Sequence, residues 1–258
     1  MNRKILASLF VFLFTVPMLA APGVRAAPLL DVMFVIDGSG SITDPDYIEM
    51  LDAVKGYAGT LAAGVPADPG PPPSPALAAA DLRAGIVQFS TSVFLHLGLT
   101  GNLSVFNATL DNIPQQFGQT NHADAFTTAA AELAANGRAG ARQAIILITD
   151  GKANEPVSGP VDPVTAAINA ANAAIDDGID IFTIGVGNSV DMPDLEDYAS
   201  GAEFTALVSD FSDLASVNAS IAEEFLPEAT VSVDAPAPLA ILGLGIAGLA
   251  CWRRSARA

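Results

Sequence analysis

Apolar residues along this chain follow two patterns with different periods. Several short runs are apolar almost throughout, which is typical of strands covered on both faces of a parallel sheet. Other segments carry apolar residues three and four positions apart, as in helices with one buried face. The strand-like runs are residues 29–36, 142–151, 179–187 and 202–209, and the helix-like segments are residues 44–61, 103–113, 123–137, 162–178 and 211–225.

The order of these segments predicts an α/β fold. Residues 82–90 and 92–100 read as two strands with almost nothing between them, so we expect a hairpin. Alternation of the remaining strands with helices predicts a doubly wound, mostly parallel sheet with one antiparallel edge strand and helices on both faces. We expect Asp44 to cap the first helix, and the proline-rich stretch at 65–75 to lie opposite the carboxyl ends of the strands.

The amino-terminal segment has the pattern of a secretory signal. Arg3 and Lys4 precede an apolar run at 5–21, and the small residues around 24–26 suit a signal peptidase. The alternative interpretation is an uncleaved membrane anchor. We expect cleavage near Ala26, because the small-residue site follows the apolar run closely.

The carboxyl-terminal segment is a second apolar run, and a basic end follows it. Residues 238–252 carry no charge over 15 positions, and three arginines come after them. This run is shorter than the roughly 20 residues that an ordinary transmembrane helix needs. The arginines should stay on the cytoplasmic side during export, so the tail is expected to hold the chain at the membrane only transiently.

The part of the chain between these ends is strongly acidic. All 28 acidic residues fall between Asp31 and Asp234, where only five basic residues lie, which gives this part a formal charge of −23. Such a surface repels nucleic acid and anionic lipid, and it attracts divalent cations. The single cysteine, Cys251, lies in the tail, so we expect one domain with a core that needs no disulfide.

Oxygen-bearing side chains follow the ends of the predicted strands. The first strand stops at Asp37, and Ser39 and Ser41 follow it with glycines between them. Asp150 ends another strand, and Thr120 precedes a predicted helix. Because ligands bind where loops leave the carboxyl ends of parallel strands, we expect these five side chains to converge at one edge of the sheet. Their oxygens suit a hard divalent cation, Mg²⁺ first and Mn²⁺ or Ca²⁺ next.

Three segments, DVMFVIDGSGSI, GQTNHADA and AIILITDG, resemble the metal-binding loops of a von Willebrand factor type A (vWA) domain. The resemblance covers residues 29–225, and no position of the motif is substituted. It implies a metal-ion-dependent adhesion site, abbreviated MIDAS. In that site the two serines and the threonine would touch the metal directly, and the two aspartates would act directly or through water.

The tail resembles the PEP-CTERM sorting signals of bacteria that make extracellular polysaccharide. DAPAPLAILGLGIAGLACWRR contains a short proline motif, a glycine-rich apolar stretch and a basic end, although Ala237 stands where Glu is usual. The resemblance implies cleavage by an exosortase-type enzyme and release to the cell surface or extracellular matrix. We therefore divide the chain into a signal peptide at 1–26, a vWA domain at 29–225, a linker at 226–235 and a sorting motif with its apolar tail at 236–258.

The expected function is binding of a partner through the metal, without catalysis. The partner would offer a carboxylate, either from Asp or Glu of a protein or from a uronic acid of a polysaccharide. Neither nucleic acid nor a lasting membrane contact is expected. A metal-binding structural component of the extracellular matrix is the alternative.

A hydrolase is the remaining class, and the sequence offers it one triad: Ser39 or Ser41 with His122 and Asp150. The nucleophile-elbow pattern Gly-x-Ser-x-Gly is absent here, and two histidines are too few for a metal-hydroxide site. His122, two residues past Thr120, could border the site, but we expect it to cap a helix or lie at the surface. The acidic run from Asp191 to Asp197 is expected to be the solvated start of a helix.

Overall fold

The structure is a computed structural model, and it describes residues 27–66, 76–155 and 161–229. The signal peptide, the sorting tail and most of both the proline-rich stretch and the linker lie outside these ranges, so these assignments stay predictions. Within the described ranges, we find no helix that combines the length and the apolar character needed to cross a membrane.

The described residues form one sheet of six strands flanked by helices. The strands are β1 (Leu29–Asp37), β2 (Asp81–Phe89), β3 (Val93–Thr100), β4 (Arg142–Thr149), β5 (Ile179–Val186) and β6 (Thr205–Val208). The helices are α1 (Asp44–Ala63), α2 (Leu103–Leu110), α3 (His122–Asn136), α4 (Pro163–Asp176), α5 (Met192–Tyr198) and α6 (Asn218–Phe225). Short 3₁₀ helices at Ala202–Phe204 and Phe211–Val217 complete the described part.

The strand order confirms the predicted fold class. It runs β3-β2-β1-β4-β5-β6, and β3 pairs with β2 in the antiparallel direction while the other neighbours are parallel. The chain therefore winds outward from β1 in both directions. This arrangement makes the carboxyl ends of β1 and β4 neighbours at the centre of the sheet, where the predicted site residues leave it.

Both faces of β1 are buried, which explains why its central run from Val32 to Ile36 is entirely apolar. Phe34 packs into a core with residues of α1, α2 and α6, whereas Met33 packs into a second core with residues of α3, α4 and α5. Successive side chains of a strand point to opposite faces, so a strand between two helical layers has no position for a solvated side chain.

The N-cap residue of the first helix lies one position before the predicted one. Thr43 is the N-cap residue, and Asp44 is the first residue of the helix, followed by Pro45 in its first turn. The Thr43 hydroxyl donates to the Asp46 carboxylate at 2.6 Å. The expectation that Asp44 caps the helix was therefore wrong, although its acidic charge still lies in the first turn, where it is favourable.

The carboxyl-terminal end of the described domain packs beside the segment after the proline-rich stretch. Leu77 bridges to Glu228, and the Ala78 amide donates to the Pro227 carbonyl at 2.9 Å. Residues 226–229, the start of the predicted linker, thus hydrogen-bond to the folded domain.

Candidate metal centre

Asp37 ends β1 as a fully buried carboxylate. Its Oδ1 accepts the Ser39 amide at 2.8 Å, and its Oδ2 accepts the Thr149 hydroxyl at 2.7 Å. Burial raises the pKa of Asp37 to about 6, because desolvation outweighs the hydrogen bonds that favour the ionised form. The negative charge of Asp150 raises the pKa of Asp37 further.

The two serines join Asp37 to Asp150. The hydroxyls of Ser39 and Ser41 lie 3.0 Å apart, and the Ser41 hydroxyl donates to Asp150 Oδ1 at 2.7 Å. Ser39 is buried, Ser41 is exposed, and Asp150 is half-buried at the end of β4. Partial burial raises the pKa of Asp150 from its ordinary value. The loops after β1 and β4 thus place their oxygens in direct contact, as the sequence predicted.

The first glycine between these residues is required by the space around it. A Cβ on Gly38 would lie 2.6 Å from the side-chain nitrogen of Gln88, a buried residue of β2. The Gly38 amide also donates to the Phe89 carbonyl at 2.7 Å. A larger residue at this position would have to displace either the Gln88 side chain or the loop that carries Ser39.

Thr120 lies at the same edge, next to the loop that carries Asp150. A Cβ on Gly151 would come 3.9 Å from the Thr120 hydroxyl. The Thr120 amide donates to the Asn154 side chain at 2.7 Å, and the Asn154 amide donates back to the Thr120 carbonyl at 3.0 Å. Asn154 therefore ties the two loops together. Sequence reasoning missed it, because an isolated asparagine in a loop carries no periodic signal.

The chemistry and spacing of these oxygens fit a small divalent cation. At Mg²⁺–oxygen distances of about 2.1 Å, neighbouring ligands of an octahedron lie about 3 Å apart. The observed separations of 3.0 Å between Ser39 and Ser41 and 2.7 Å between Ser41 and Asp150 are close to that spacing. Hydroxyl and carboxylate oxygens are also the ligand types that Mg²⁺, Mn²⁺ and Ca²⁺ prefer.

His122 has a different environment from the one the sequence suggested. It is buried at the first position of α3, where Asn121 is the cap and accepts the Asp124 amide. Its Nε2 lies 3.1 Å from the Thr149 hydroxyl, and its Nδ1 has no hydrogen-bond partner. Burial lowers the pKa of His122 to about 3. The predicted capping or surface role was wrong, and the hydrolase triad is not assembled, because the imidazole is directed at Thr149.

Two further groups of acidic residues are present in the described part of the chain, and the second borders this centre, because Asp46 and Asp210 line the same cleft as Asp150. Asp191 and Asp194, at the start of α5, are partly buried and form ion pairs with Lys152. The predicted solvation therefore holds for Glu196 and Asp197, which are exposed, and not for the whole run. Carboxylate oxygens of Asp46, Glu49 and Asp210 lie within 4.8 Å of one another. Sequence reasoning missed this second group because Asp210 is far from α1 along the chain.

Comparison with known families agrees with this architecture. Residues 31–220 match the family model of the von Willebrand factor type A domain. This match covers well over half of the chain, so the chain belongs to the vWA domain family.

Among curated proteins, the collagen alpha-4(VI) chain of Mus musculus is 28% identical over 198 residues, which is 76% of this chain. The same alignment spans 7% of the collagen chain, so the two proteins share one domain of a much longer relative.

Solved structures of other proteins share the fold. Proximal thread matrix protein 1 from the mussel byssus superposes with a TM-score of 0.62 at 19% identity, covering 78% of this chain and 48% of that one. A further structure of that mussel protein, with a zinc-occupied MIDAS motif, gives 0.61 at 22% identity over 78% of this chain and 47% of that one. The vWF domain of the type V pili tip protein Mfa5 from Porphyromonas gingivalis gives 0.60 at 15% identity, covering 78% and 96%.

Proposed function

We propose that this chain is an exported binding protein whose vWA domain holds a carboxylate of its partner through a divalent cation. The observation that carries the proposal is the chain of contacts from Ser39 to Ser41 to Asp150, which brings oxygens from two loops to one edge of the sheet. Ser39, Ser41 and Thr120 would hold the cation. Asp150 would hold it directly or through water, and Asp37 would act from beneath.

Burial and hydrogen bonding divide the roles of the two aspartates. Asp37 is fully buried and both of its oxygens accept hydrogen bonds, so it fixes the loop that carries Ser39 and supplies negative charge from beneath. Asp150 is half-buried and receives the hydroxyl of the exposed Ser41, so its charge lies closer to solvent. Three neutral oxygens around the cation would leave it electrophilic, with a position open to an anionic oxygen of the partner.

The relatives support a role in adhesion or in an extracellular matrix. They include a collagen VI chain, a thread matrix protein whose MIDAS motif takes zinc, and a pilus tip protein. Export through the predicted signal peptide fits these relatives. We further propose that an exosortase-type enzyme removes the tail, so that the domain reaches the cell surface or matrix of a bacterium.

The proposed partner offers an Asp or Glu carboxylate or a uronic acid. The strong negative charge of the domain repels such a partner at long range, so association should become faster as moderate salt screens the repulsion. The loop after β1 contains two glycines and could shift slightly as the ligand arrives. A metal-binding structural role in the matrix remains the second candidate, favoured by the thread matrix relative.

Calorimetry on the full chain tests the cation site. We expect one site for Mg²⁺ or Mn²⁺ in the wild type, and loss of at least tenfold in affinity in Asp150→Ala, which removes a rim carboxylate and little of the core. Asp210→Ala is the comparison variant: it removes a carboxylate of the second acidic group, which lines the same cleft as Asp150, and should lower the affinity less than Asp150→Ala does. The reverse result for the two variants would move the site to Asp46, Glu49 and Asp210.

Binding to polysaccharides tests whether the partner is a uronic acid polymer. Polygalacturonate, a uronic acid polymer, and a neutral polysaccharide of equal length are compared on the full chain, with Mg²⁺ and with chelator. Retention on the uronic acid polymer that needs Mg²⁺ and is lost in Asp150→Ala would support the polysaccharide partner. Retention that survives chelator would contradict binding through a cation.

A further inference from the structure

We infer that His122 is a positioning residue of the cation site, and that it acts through Thr149 to fix the carboxylate of Asp37. This inference rests on the proposed function, because the property that it controls is cation affinity. The sequence favours a surface or capping role for His122 over a position beside the site, and the vWA motif residues named above do not include it.

The hydrogen bonds have one consistent direction. An ionised carboxylate only accepts, so the Thr149 hydroxyl donates its single proton to Asp37 Oδ2 at 2.7 Å. The Thr149 oxygen then has only acceptor capacity left for His122 Nε2, which lies 3.1 Å away. His122 must therefore carry its proton on Nε2. The resulting relay runs from imidazole N–H to threonine hydroxyl to buried carboxylate.

The other ring nitrogen agrees with this assignment. Nδ1 is buried and has no hydrogen-bond partner. A neutral imidazole has one N–H and one bare nitrogen, and a buried N–H without an acceptor is rarer in proteins than an under-used acceptor. The tautomer with the proton on Nε2 leaves the unpartnered nitrogen bare.

The ring is also held against rotation. Phe89 contacts the imidazole edge-on with centroids 5.1 Å apart, and Tyr198 does so from α5 at 5.6 Å. Such packing leaves little room for another rotamer, so the Nε2 proton stays aimed at Thr149. His122 thus joins three elements at the site. It lies at the start of α3, two residues after Thr120, it contacts Thr149 at the end of β4, and through Thr149 it reaches the end of β1.

The competing explanation is that His122 only fills space between Phe89 and Tyr198. Two substitutions distinguish a side chain that only fills space from one that donates a hydrogen bond to Thr149. His122→Leu has a similar volume but no donor, whereas His122→Gln carries a side-chain N–H donor that can reach the position of Nε2. A residue that only fills space would give the two variants similar cation affinities.

Magnesium titration of the full chain measures the effect. We expect His122→Leu to lose about tenfold or more in Mg²⁺ affinity, as for other outer residues that orient metal ligands, and His122→Gln to stay within about threefold of the wild type. Thr149→Val should show a similar loss. The double variant His122→Leu/Thr149→Val should lose little more than Thr149→Val alone, because His122 acts through that hydroxyl.

Nitrogen-15 NMR of the metal-free protein provides a readout that needs no cation. We expect the His122 signals of the tautomer protonated on Nε2, whereas a proton on Nδ1 would overturn the inference. Circular dichroism confirms that each variant is folded before titration. If the wild type binds Mg²⁺ and His122→Leu binds it with the same affinity, the role of His122 is overturned and the proposed function is not. Absence of Mg²⁺ binding by the wild type would overturn the proposed function and the role of His122 with it.

Discussion

The two ends of β1 each bury an aspartate, but the protein surrounds the two carboxylates differently. Asp31, at the amino end, is fully buried and accepts the Arg138 amide at 2.6 Å and the Arg138 Nε at 2.8 Å. Asp37, at the carboxyl end, is equally buried and accepts hydrogen bonds from the Ser39 amide and the Thr149 hydroxyl, both neutral donors.

The difference supports the proposal that Asp37 serves a cation site, whereas Asp31 has its counter-charge within the protein. A buried charge is costly unless an opposite charge lies beside it. Arg138 supplies that charge inside the protein for Asp31, and it also binds Asp81 at 2.8 Å. None of the ion pairs among the described residues involves Asp37, so a charge that balances it would come from a bound cation. This asymmetry is the electrostatic argument for a cation site at the carboxyl end of β1.

The largest expected effect comes from breaking the internal pair. Arg138→Met should destabilise the fold by about 3–5 kcal/mol, because it leaves the Asp31 carboxylate buried without its cation. Urea unfolding of the full chain measures this change. Removing both charges, in Asp31→Leu/Arg138→Met, should restore much of the loss, since an apolar pair of similar volume is often as stable as a buried ion pair.

An exposed ion pair gives the matched control. Lys55 binds Asp52 at 2.8 Å and also contacts Asp111, and both carboxylates are largely exposed. Lys55→Met should cost no more than about 1 kcal/mol. Equal losses of unfolding free energy in Lys55→Met and Arg138→Met would show that burial does not determine how much the Asp31–Arg138 pair stabilises the fold.

At the other end of β1, neutralising the Asp37 carboxylate should stabilise the metal-free fold, whereas Arg138→Met destabilises it. Asp37→Asn keeps the size of the side chain, and its amide can donate to the Thr149 oxygen while the Thr149 hydroxyl turns to the Gly151 carbonyl, now 3.2 Å away. In chelator at pH 7, we expect the variant to be more stable than the wild type by up to about 3 kcal/mol, because an uncompensated buried charge is gone. Saturating Mg²⁺ should stabilise the wild type strongly and the variant only slightly. The stability advantage of the variant should then disappear or reverse.

The pH dependence of that difference follows from the pKa of Asp37. The folded-state pKa, about 6, lies above the ordinary value of 3.8, so protonation stabilises the fold. This contribution is fully present below pH 3.8 and is lost as pH rises through 6. The advantage of Asp37→Asn over the wild type should therefore be largest at pH 7 and vanish near pH 4. An advantage that did not change with pH would place its origin in packing.

His122 acts in the opposite direction over the same range. Its folded-state pKa of about 3 lies below the ordinary 6.5, so its stabilising contribution is present above pH 6.5 and is lost as pH falls through 3. The two groups partly cancel in the wild type between pH 4 and 6. For this reason the comparison must be made with the Asp37 variant and not with the pH profile of the wild type alone.

The sequence predicted most of the fold because the fold depends on local patterns. Runs that are apolar almost throughout identified β1, β4 and β5, since each strand lies between two helical layers. The last helical segment was less accurate: residues 211–217 form a 3₁₀ helix, and α6 begins only at Asn218. The apolar spacing there does not distinguish two helices of different pitch that bury the same face.

The residues that bind the cation in our proposal were also predictable, because they alternate with glycines or follow strands. The residues that support them were not. Thr149 looks like one more member of an apolar strand, and its hydroxyl acquires a role only when β1 brings Asp37 to 2.7 Å. His122 comes from a third element, and no spacing along the chain signals a contact with Thr149. Supporting contacts between distant segments have no local periodicity to reveal them.

Backbone strain adds a further difference between the two ends of β1, and it sits at the Asp37 end. Phe117 has a φ of 60°, a conformation in the left-handed region that bulky residues rarely adopt, and its side chain is 55% exposed. The surroundings hold it there, because the Phe117 amide donates to the Gly38 carbonyl at 2.8 Å and Gln115 donates to the Ser39 carbonyl at 2.8 Å. Strain of this kind often accompanies functional loops.

The smallest expected effect is therefore a gain from relieving that strain. Phe117→Gly should remove about 1–2 kcal/mol of left-handed backbone strain, and about half of this is offset by the greater freedom of glycine in the unfolded chain. The net gain, below about 1 kcal/mol, corresponds to a rise of a few degrees in melting temperature. Phe117→Ala is the control, because it removes the same exposed ring but keeps a Cβ in the left-handed region. A gain in Phe117→Ala equal to that in Phe117→Gly would mean that the ring, and not the backbone of this loop, is the source of the strain at the Asp37 end.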